Sequence, residues 1–151
     1  MKPDIVRPAI YNGQKLHDYG VDRNTGDLYS FKRGFPYKLA WNHRNPKNLK
    51  VSYPCIHLVD PTVFTTQYRG GLTVNLHIVV HETLNSLPKP AGVTDAEWKR
   101  TPESVKNACR GLWIVNHIDH NKLNYHPSNL EWVFGNKENA EKAQQFYKKA
   151  A

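Results

Sequence analysis

The sequence predicts an α+β fold, and three observations carry that expectation. The first half alternates short apolar runs with Gly, Pro, Asn and Asp, which is the pattern of antiparallel hairpins. The apolar spacing then changes to a helical period at residues 76–87. The last third reads as strand, long polar loop, strand, helix. At 151 residues, 39% hydrophobic and 23% charged, the chain is long enough to bury one core and is not of disordered composition. The expected division is a β-rich region over 1–74 and a second unit over 75–151, whose strand–loop–strand–helix part spans about 112–148.

A net charge of +8 and a pI near 9.5 favour a polyanionic partner, although a solvated cationic face would give the same balance. Cys55 and Cys109 stand far apart with no C-x-x-C spacing, so a Cys-rich zinc site is not expected and a reducing compartment is. The opening MKPDIVRPAI lacks the apolar run of a signal peptide, and no later run could span a bilayer. The expected location is the cytoplasm.

Residues 1–16 carry Pro3, Pro8 and Gly13 with little periodicity and read as an arm or edge segment. DYGVDRNTGDLYSFKRG reads as a hairpin turning at Asn24-Thr25-Gly26, with Tyr19 and Val21 on one face of the first strand. On the return strand Tyr29 and Phe31 are expected to share the apolar face. Lys32, Arg33 and Lys38 interleave with Phe31, Phe35, Tyr37 and Trp41, a mixture that suits either a nucleic-acid surface or a small sheet with cationic rims. Residues 41–50 read as a loop and 51–59 as a strand. Val63–Thr66 and Leu72–Val74, flanking Tyr68-Arg69-Gly70-Gly71, read as a second hairpin.

The helix over 76–87 ends at Pro88 and Pro90 and places His77 and His81 four apart. A zincin would need Glu beside one of them where Ile78 and Val80 stand, so packing is the competing reading to a zinc pair. Two short helices follow. Thr94-x-x-Glu97 is a capping box, and Thr101-Pro102-Glu103 offers a cap, a first-turn proline and an acid, with Val105, Ala108 and Cys109 facing inward. Residues 112–115 read as a buried strand. Asn116-His117 ends it, a polar loop runs from Asp119 to Pro127, residues 130–133 form a second strand, and Asn136 can cap a final helix.

Side-chain amides are unusually frequent in this last stretch, and each one buried needs hydrogen-bond partners. A histidine with an ordinary pKa of ~6.5 can accept a proton near neutrality. A hard divalent ion on oxygen ligands can stabilise the charge that develops during phosphodiester hydrolysis.

Asn116-His117-Ile118-Asp119, Asn121-Lys122-Leu123-Asn124, Pro127-x-Asn129-Leu130-Glu131-Trp132-Val133 and Glu138-Asn139 together resemble the HNH (His-Me finger, ββα-metal) nucleases, in particular the small phage-type homing endonucleases. Leu76–Val80 resembles the helix that precedes this core, and the stretch from Tyr19 to Lys32 resembles, more loosely, the β module before it. The resemblance implies a ββα-metal nuclease core with accessory helices, acting on double-stranded DNA. His117 would be the general base. Asn116 and Asn139 would hold one Mg²⁺, or another divalent ion such as Mn²⁺, together with DNA phosphate oxygens. Asn129 would brace the loop and so orient His117, Asp119, Asn121 and Asn124 would shape that loop, and Lys122 would reach a phosphate. Lys32, Arg33, Lys38, Arg44 and Arg69 are further candidates for DNA contact, and a monomer is the expected state.

Three departures stand out. Asn116 occupies a place where many members have Asp, leaving two neutral amides for the metal. The ten-residue interval from Asn129 to Asn139 (139 − 129) is one longer than the common pattern and calls for a bulge at Phe134-Gly135-Asn136. His120 stands where Gly is common. A DNA-binding protein without catalysis on the same scaffold is the alternative.

Overall fold

The computed structural model describes residues 2–135 of the chain. Its elements are β1 (Ile5–Val6), β2 (Ala9–Tyr11), β3 (Gln14–Leu16), β4 (Tyr19–Asp22), β5 (Leu28–Ser30), β6 (Tyr37–Lys38), β7 (Asn42–His43), β8 (Pro54–Val59), β9 (Gly71–Asn75), α1 (Leu76–Leu84), α2 (Asp95–Arg100), α3 (Glu103–Ala108), β10 (Trp113–His117) and β11 (Leu130–Phe134). The strands pair into four small sheets, ordered β1-β4-β5-β6, β2-β3, β7-β8-β9 and β10-β11, and every pairing is antiparallel. The fold is α+β, as the sequence predicts.

Helix α1 organises the core. Leu76, Val79 and Val80 are buried against Ala9 and Leu16 of the first hairpin, Ile56, Leu58 and Val74 of the three-stranded sheet, and Leu130 at the start of β11. A helix with one apolar stripe needs such surfaces on its flanks, and here it finds them on three sheets. No described helix is long and apolar enough to cross a membrane.

Of the two expectations for the N-terminal segment, the edge segment forms and the arm does not, with β1 at the edge of the four-stranded sheet. Asn12 and Gly13 take positive φ values of 51° and 77°, the two-residue turn whose twist suits a hairpin, and close β2 onto β3. Glu82 then fixes this turn to α1, its carboxylate accepting from the backbone N–H of Asn12 (2.8 Å) and Gly13 (2.6 Å). The same carboxylate lies 3.1 Å from Arg110, so the charge is paired as well as buried.

The second hairpin shows the opposite face from the one expected. Tyr19 pairs with Ser30 and Val21 with Leu28, which puts Leu28 and Ser30, not Tyr29 and Phe31, on the core side. Phe31 instead lies under the Arg7 guanidinium, at 4.1 Å. A one-residue change of face reverses every side chain in a strand, and the alternation of Leu28-Tyr29-Ser30-Phe31 does not decide it.

Further along, Asn42–His43 is not loop but pairs with β8, which begins at Pro54 rather than at residue 51. Val63–Thr66 is not a strand. β9 pairs with β8 directly, and the intervening residues form turns, with Asp60 Oδ1 accepting from the N–H and hydroxyl of Thr62. Helix α1 stops at Leu84, three residues early, where Asn85 takes extended backbone angles (φ −134°, ψ 129°); its N–H makes the last helical bond to the His81 carbonyl and its side-chain amide donates to the same oxygen. The Thr94–Glu97 capping box forms. Thr101 does not cap α3; its hydroxyl donates to the Glu97 carbonyl and Pro102 occupies the cap position. Val105 and Ala108 are exposed rather than inward-facing, and Cys109 is half-buried. Strand β10 is likewise half-exposed along one face, at Ile114.

Candidate active site

His117 ends β10, and its position follows from strand alternation. Trp113, Val115 and His117 face α1, while Ile114 and Asn116 take the other side, each matched across the hairpin by a residue of β11. The register runs without interruption from Trp113↔Phe134 to His117↔Leu130, and Gly135 N–H still donates to the Leu112 carbonyl at 2.7 Å. Of the stretch Phe134-Gly135-Asn136, where a bulge is expected, the first two residues thus carry none. Asn136 and Asn139 lie outside the described residues.

Between the two strands, Asn129 and Asp119 tie the loop together. The Asn129 side chain accepts from the Asp119 N–H (3.0 Å) and donates to Asp119 Oδ1 (2.9 Å) and to the Asn124 carbonyl (2.9 Å). Its backbone carbonyl accepts from the N–H of Ile118 at 2.8 Å. Asp119 also receives the Asn121 N–H and the Asn124 amide, and Asn121 and Asn124 each accept from the N–H two residues on. The amides that crowd this stretch are thus used to replace the backbone ladder that an irregular loop lacks. Although burial pushes the Asp119 carboxyl up, the bonds from Asn124, Asn121 and Asn129 and the nearby His117 hold it below its usual range.

His117 is 1% exposed, and its Nε2 is buried with no hydrogen-bond partner among the described residues. Burial pulls its pKa down to about 4, Lys122 and His120 act in the same direction, and Asp119 opposes them. The ring is therefore neutral at pH 7. Two other aromatic rings cover it. Tyr53 is stacked on it with centroids 5.8 Å apart, and His77 is tilted against it at 4.5 Å. Lys122 sits over the Tyr53 ring, 5.1 Å from its centroid.

Asn116 points to the other face of β10, where its amide donates to Glu131 Oε1 at 2.9 Å. His77 and His81 both turn towards this hairpin. His77 stacks on Tyr53 (4.8 Å), and His81 packs edge-on against Trp132 (4.8 Å) while bonding the Asn85 amide. Among the described residues no group of three His, Cys, Asp or Glu side chains is placed to hold a metal.

The other candidates are spread along the chain. Lys32 donates to the Val59 carbonyl, Arg33 stacks on Tyr37 at 3.9 Å, Arg44 bonds Asn75 and the Thr73 carbonyl, and Arg69 lies over Tyr68. Lys38 pairs with Asp27 (3.3 Å), which also accepts the Tyr125 hydroxyl (2.9 Å), so this cation is joined to the His117 loop through one carboxylate. Gly26 meets the same loop so closely that a Cβ there would lie 2.7 Å from the Tyr125 carbonyl. Tyr125 lies in the loop itself, and Glu131 meets Asn116 across the hairpin. Tyr53 has no spacing signal that marks it in the sequence, since it reaches the site only through the tertiary fold. The stretch holding Tyr53 does carry one. Between Asp27 and Asp60 there are six Lys or Arg residues and no carboxylate.

Three histidines stay neutral in the fold under conditions that protonate them in the unfolded chain. Burial lowers His77 to about 3, helped by His117 and His81, and lowers His81 to about 4, helped by Arg110 and opposed by Glu131. With ordinary values of 6.5, the unfolded state binds more protons between about pH 4 and pH 6.5, so stability falls as pH drops through that window. Urea midpoints measured near pH ~7.5 and pH ~5 are expected to differ clearly, with the lower one at acid pH. Equal midpoints would show that these rings are not buried as neutral groups.

No family model matches the chain, and no curated protein matches it. Among solved structures it is similar to the HNH homing endonuclease I-HmuI, in a structure described as showing DNA binding and cleavage. That match has 25% sequence identity and a TM-score of 0.49, over 96% of this chain and 59% of the other. The chain thus spans about three fifths of that protein's length.

Proposed function

We propose that the protein is a metal-dependent DNA endonuclease of the HNH type, with His117 as general base. The observation that supports this reading most is the loop itself. A hydrogen-bonded amide framework centred on Asn129 holds a neutral histidine at the end of a strand, with one ring nitrogen left unpartnered among the described residues. A base must keep its accepting nitrogen unoccupied by protein, and Nε2 meets that condition among the described residues. His77 and His81 also have a ring nitrogen unpartnered among those residues, and it is the amide framework of its loop that distinguishes His117. The acid-free run between Asp27 and Asp60 supplies cations for the DNA backbone, with Lys32, Arg33, Lys38 and Arg44 as the first to test, and Arg69 and Lys122 as candidates outside it.

The oxygen chemistry on β10 fits a hard divalent ion of the Mg²⁺ or Mn²⁺ kind better than zinc. Asn116 keeps its amide oxygen available while its nitrogen is engaged by Glu131, and it would hold the ion together with Asn139 and DNA phosphate oxygens. When bound, the ion supplies charge stabilisation for the phosphorane and the leaving oxygen. His117 takes the proton from the attacking water, Asn129 keeps the loop that carries His117 in place, and Lys122 screens phosphate charge.

Plasmid nicking is the direct test. Supercoiled DNA should be relaxed or linearised with Mg²⁺, EDTA should abolish the reaction, and returning excess Mg²⁺ should restore it. Persistent cutting in EDTA would rule out the metal-dependent mechanism. The neutral Asn116 favours a second reading, a non-catalytic DNA-binding protein on this scaffold. That protein would bind DNA in a salt-sensitive way and cut it under no metal condition.

A further inference from the structure

We propose that Tyr53 and His77 are positioning residues that fix the plane of the His117 ring. This rests on the reading of His117 as the base. Histidines that act as bases are commonly oriented by a hydrogen bond to the second ring nitrogen. Here the unpartnered Nε2 is the accepting nitrogen itself, no hydrogen bond among the described residues reaches the ring from its other side, and the torsion that sets the ring plane is a broad, soft one. Something else must stop the ring from turning. Two flat surfaces do so: Tyr53, within 26° of parallel at 5.8 Å, and His77, at 4.5 Å and 44°. Those two rings are themselves stacked on one another at 4.8 Å and 23°, so the three form one closed group.

Each of the two supports is anchored where it leaves the backbone. Tyr53 follows the fully buried Ser52, whose hydroxyl accepts the Asn45 N–H, and its own carbonyl accepts the Arg44 N–H at 2.8 Å. His77 stands in the first turn of α1, beside the buried Leu76 and Val79. Lys122, from the loop that Asn129 organises, places its ammonium over the Tyr53 ring, 5.1 Å from the centroid. The arrangement brings one ring from each of three segments distant in sequence (the acid-free stretch, the central helix and the β10–β11 hairpin) together at the base.

What is required of the supports is a flat face, not a hydroxyl or a ring nitrogen. Single-turnover cleavage of supercoiled plasmid with Mg²⁺ should therefore be measured for Tyr53→Phe, Tyr53→Leu, His77→Phe and His77→Leu beside His117→Ala, with DNA affinity measured in parallel. The phenylalanine variants should retain most of the rate. The leucine variants should lose on the order of 10²-fold, the scale of a misplaced catalytic group, with affinity unchanged. In the NMR spectrum the His117 ring protons should keep their ring-current shifts in Tyr53→Phe and lose them in Tyr53→Leu. Full activity of both leucine variants while His117→Ala is dead would overturn the positioning role and leave the nuclease reading intact. Weakened DNA affinity in Tyr53→Leu with an unchanged rate would make Tyr53 a DNA contact instead. If a leucine variant does not fold, the phenylalanine pair still decides. His77→Phe as inactive as His117→Ala would mean that a ring nitrogen matters and the flat face does not. Wild-type cutting by His117→Ala would remove the base itself and, with it, the reading beneath.

Discussion

His117→Ala should bind DNA as the wild-type protein does and cut it about 10²–10⁴ times more slowly, the range that a positioned general base contributes. The substitution removes the ring from beneath Tyr53 and His77 but touches none of the hydrogen bonds that hold the loop, which run through Asn129, Asp119 and Asn124. Because the ring is 1% exposed, it offers little surface for binding DNA in the ground state. Its loss should therefore appear in the cleavage step and not in affinity, which is the signature of a group used in the transition state. The measurement is a single-turnover rate on plasmid DNA with Mg²⁺, alongside a binding titration at the same salt concentration. A rate within a few-fold of wild type, with normal binding, would show that His117 is packing and that the base lies elsewhere.

How much of this was legible in the sequence depends on whether a feature is local. The Thr94–Glu97 capping box forms because both of its partners lie within one helical turn. The β10–β11 hairpin with its amide-rich loop was equally visible, since its apolar strands and turn residues are contiguous. The Asn12-Gly13 turn was just as local a signal, and the prolines around it obscured the short strands on either side. Other features were decided by backbone geometry that residue types alone do not settle. The core face of β5 depends on its register with β4, and the end of α1 depends on the extended backbone at Asn85. The same holds at the candidate site. Asn129 and Asp119 are ten residues apart and could be paired by reading the motif, whereas Tyr53 reaches His117 only because β8, α1 and β10 share one core. Exposure of Val105 and Ala108 reverses the inward face expected for α3, a helix too short for its period to fix its orientation.

Asn129→Ala should be the most damaging substitution in the loop, because it acts on stability and on cleavage together. Asn129 is buried, and its side chain makes three hydrogen bonds, all to the far limb of the loop. At ~0.5–1.5 kcal/mol net for each, their loss amounts to about 2–4 kcal/mol, a large part of a small domain's stability. Asn129→Asp separates the causes. It keeps an acceptor for the Asp119 N–H but sets a carboxylate oxygen where the amide donated to Asp119 Oδ1 at 2.9 Å, so two like charges meet in place of a hydrogen bond. Both variants should show a lowered urea midpoint, and both should cut on the order of 10²-fold more slowly at temperatures where they remain folded, since the loop that carries His117 is no longer tied. If Asn129→Ala is destabilised yet cuts at the wild-type rate when folded, the amide framework serves the fold alone. The position of His117 would then rest on the rings of Tyr53 and His77 without help from the loop.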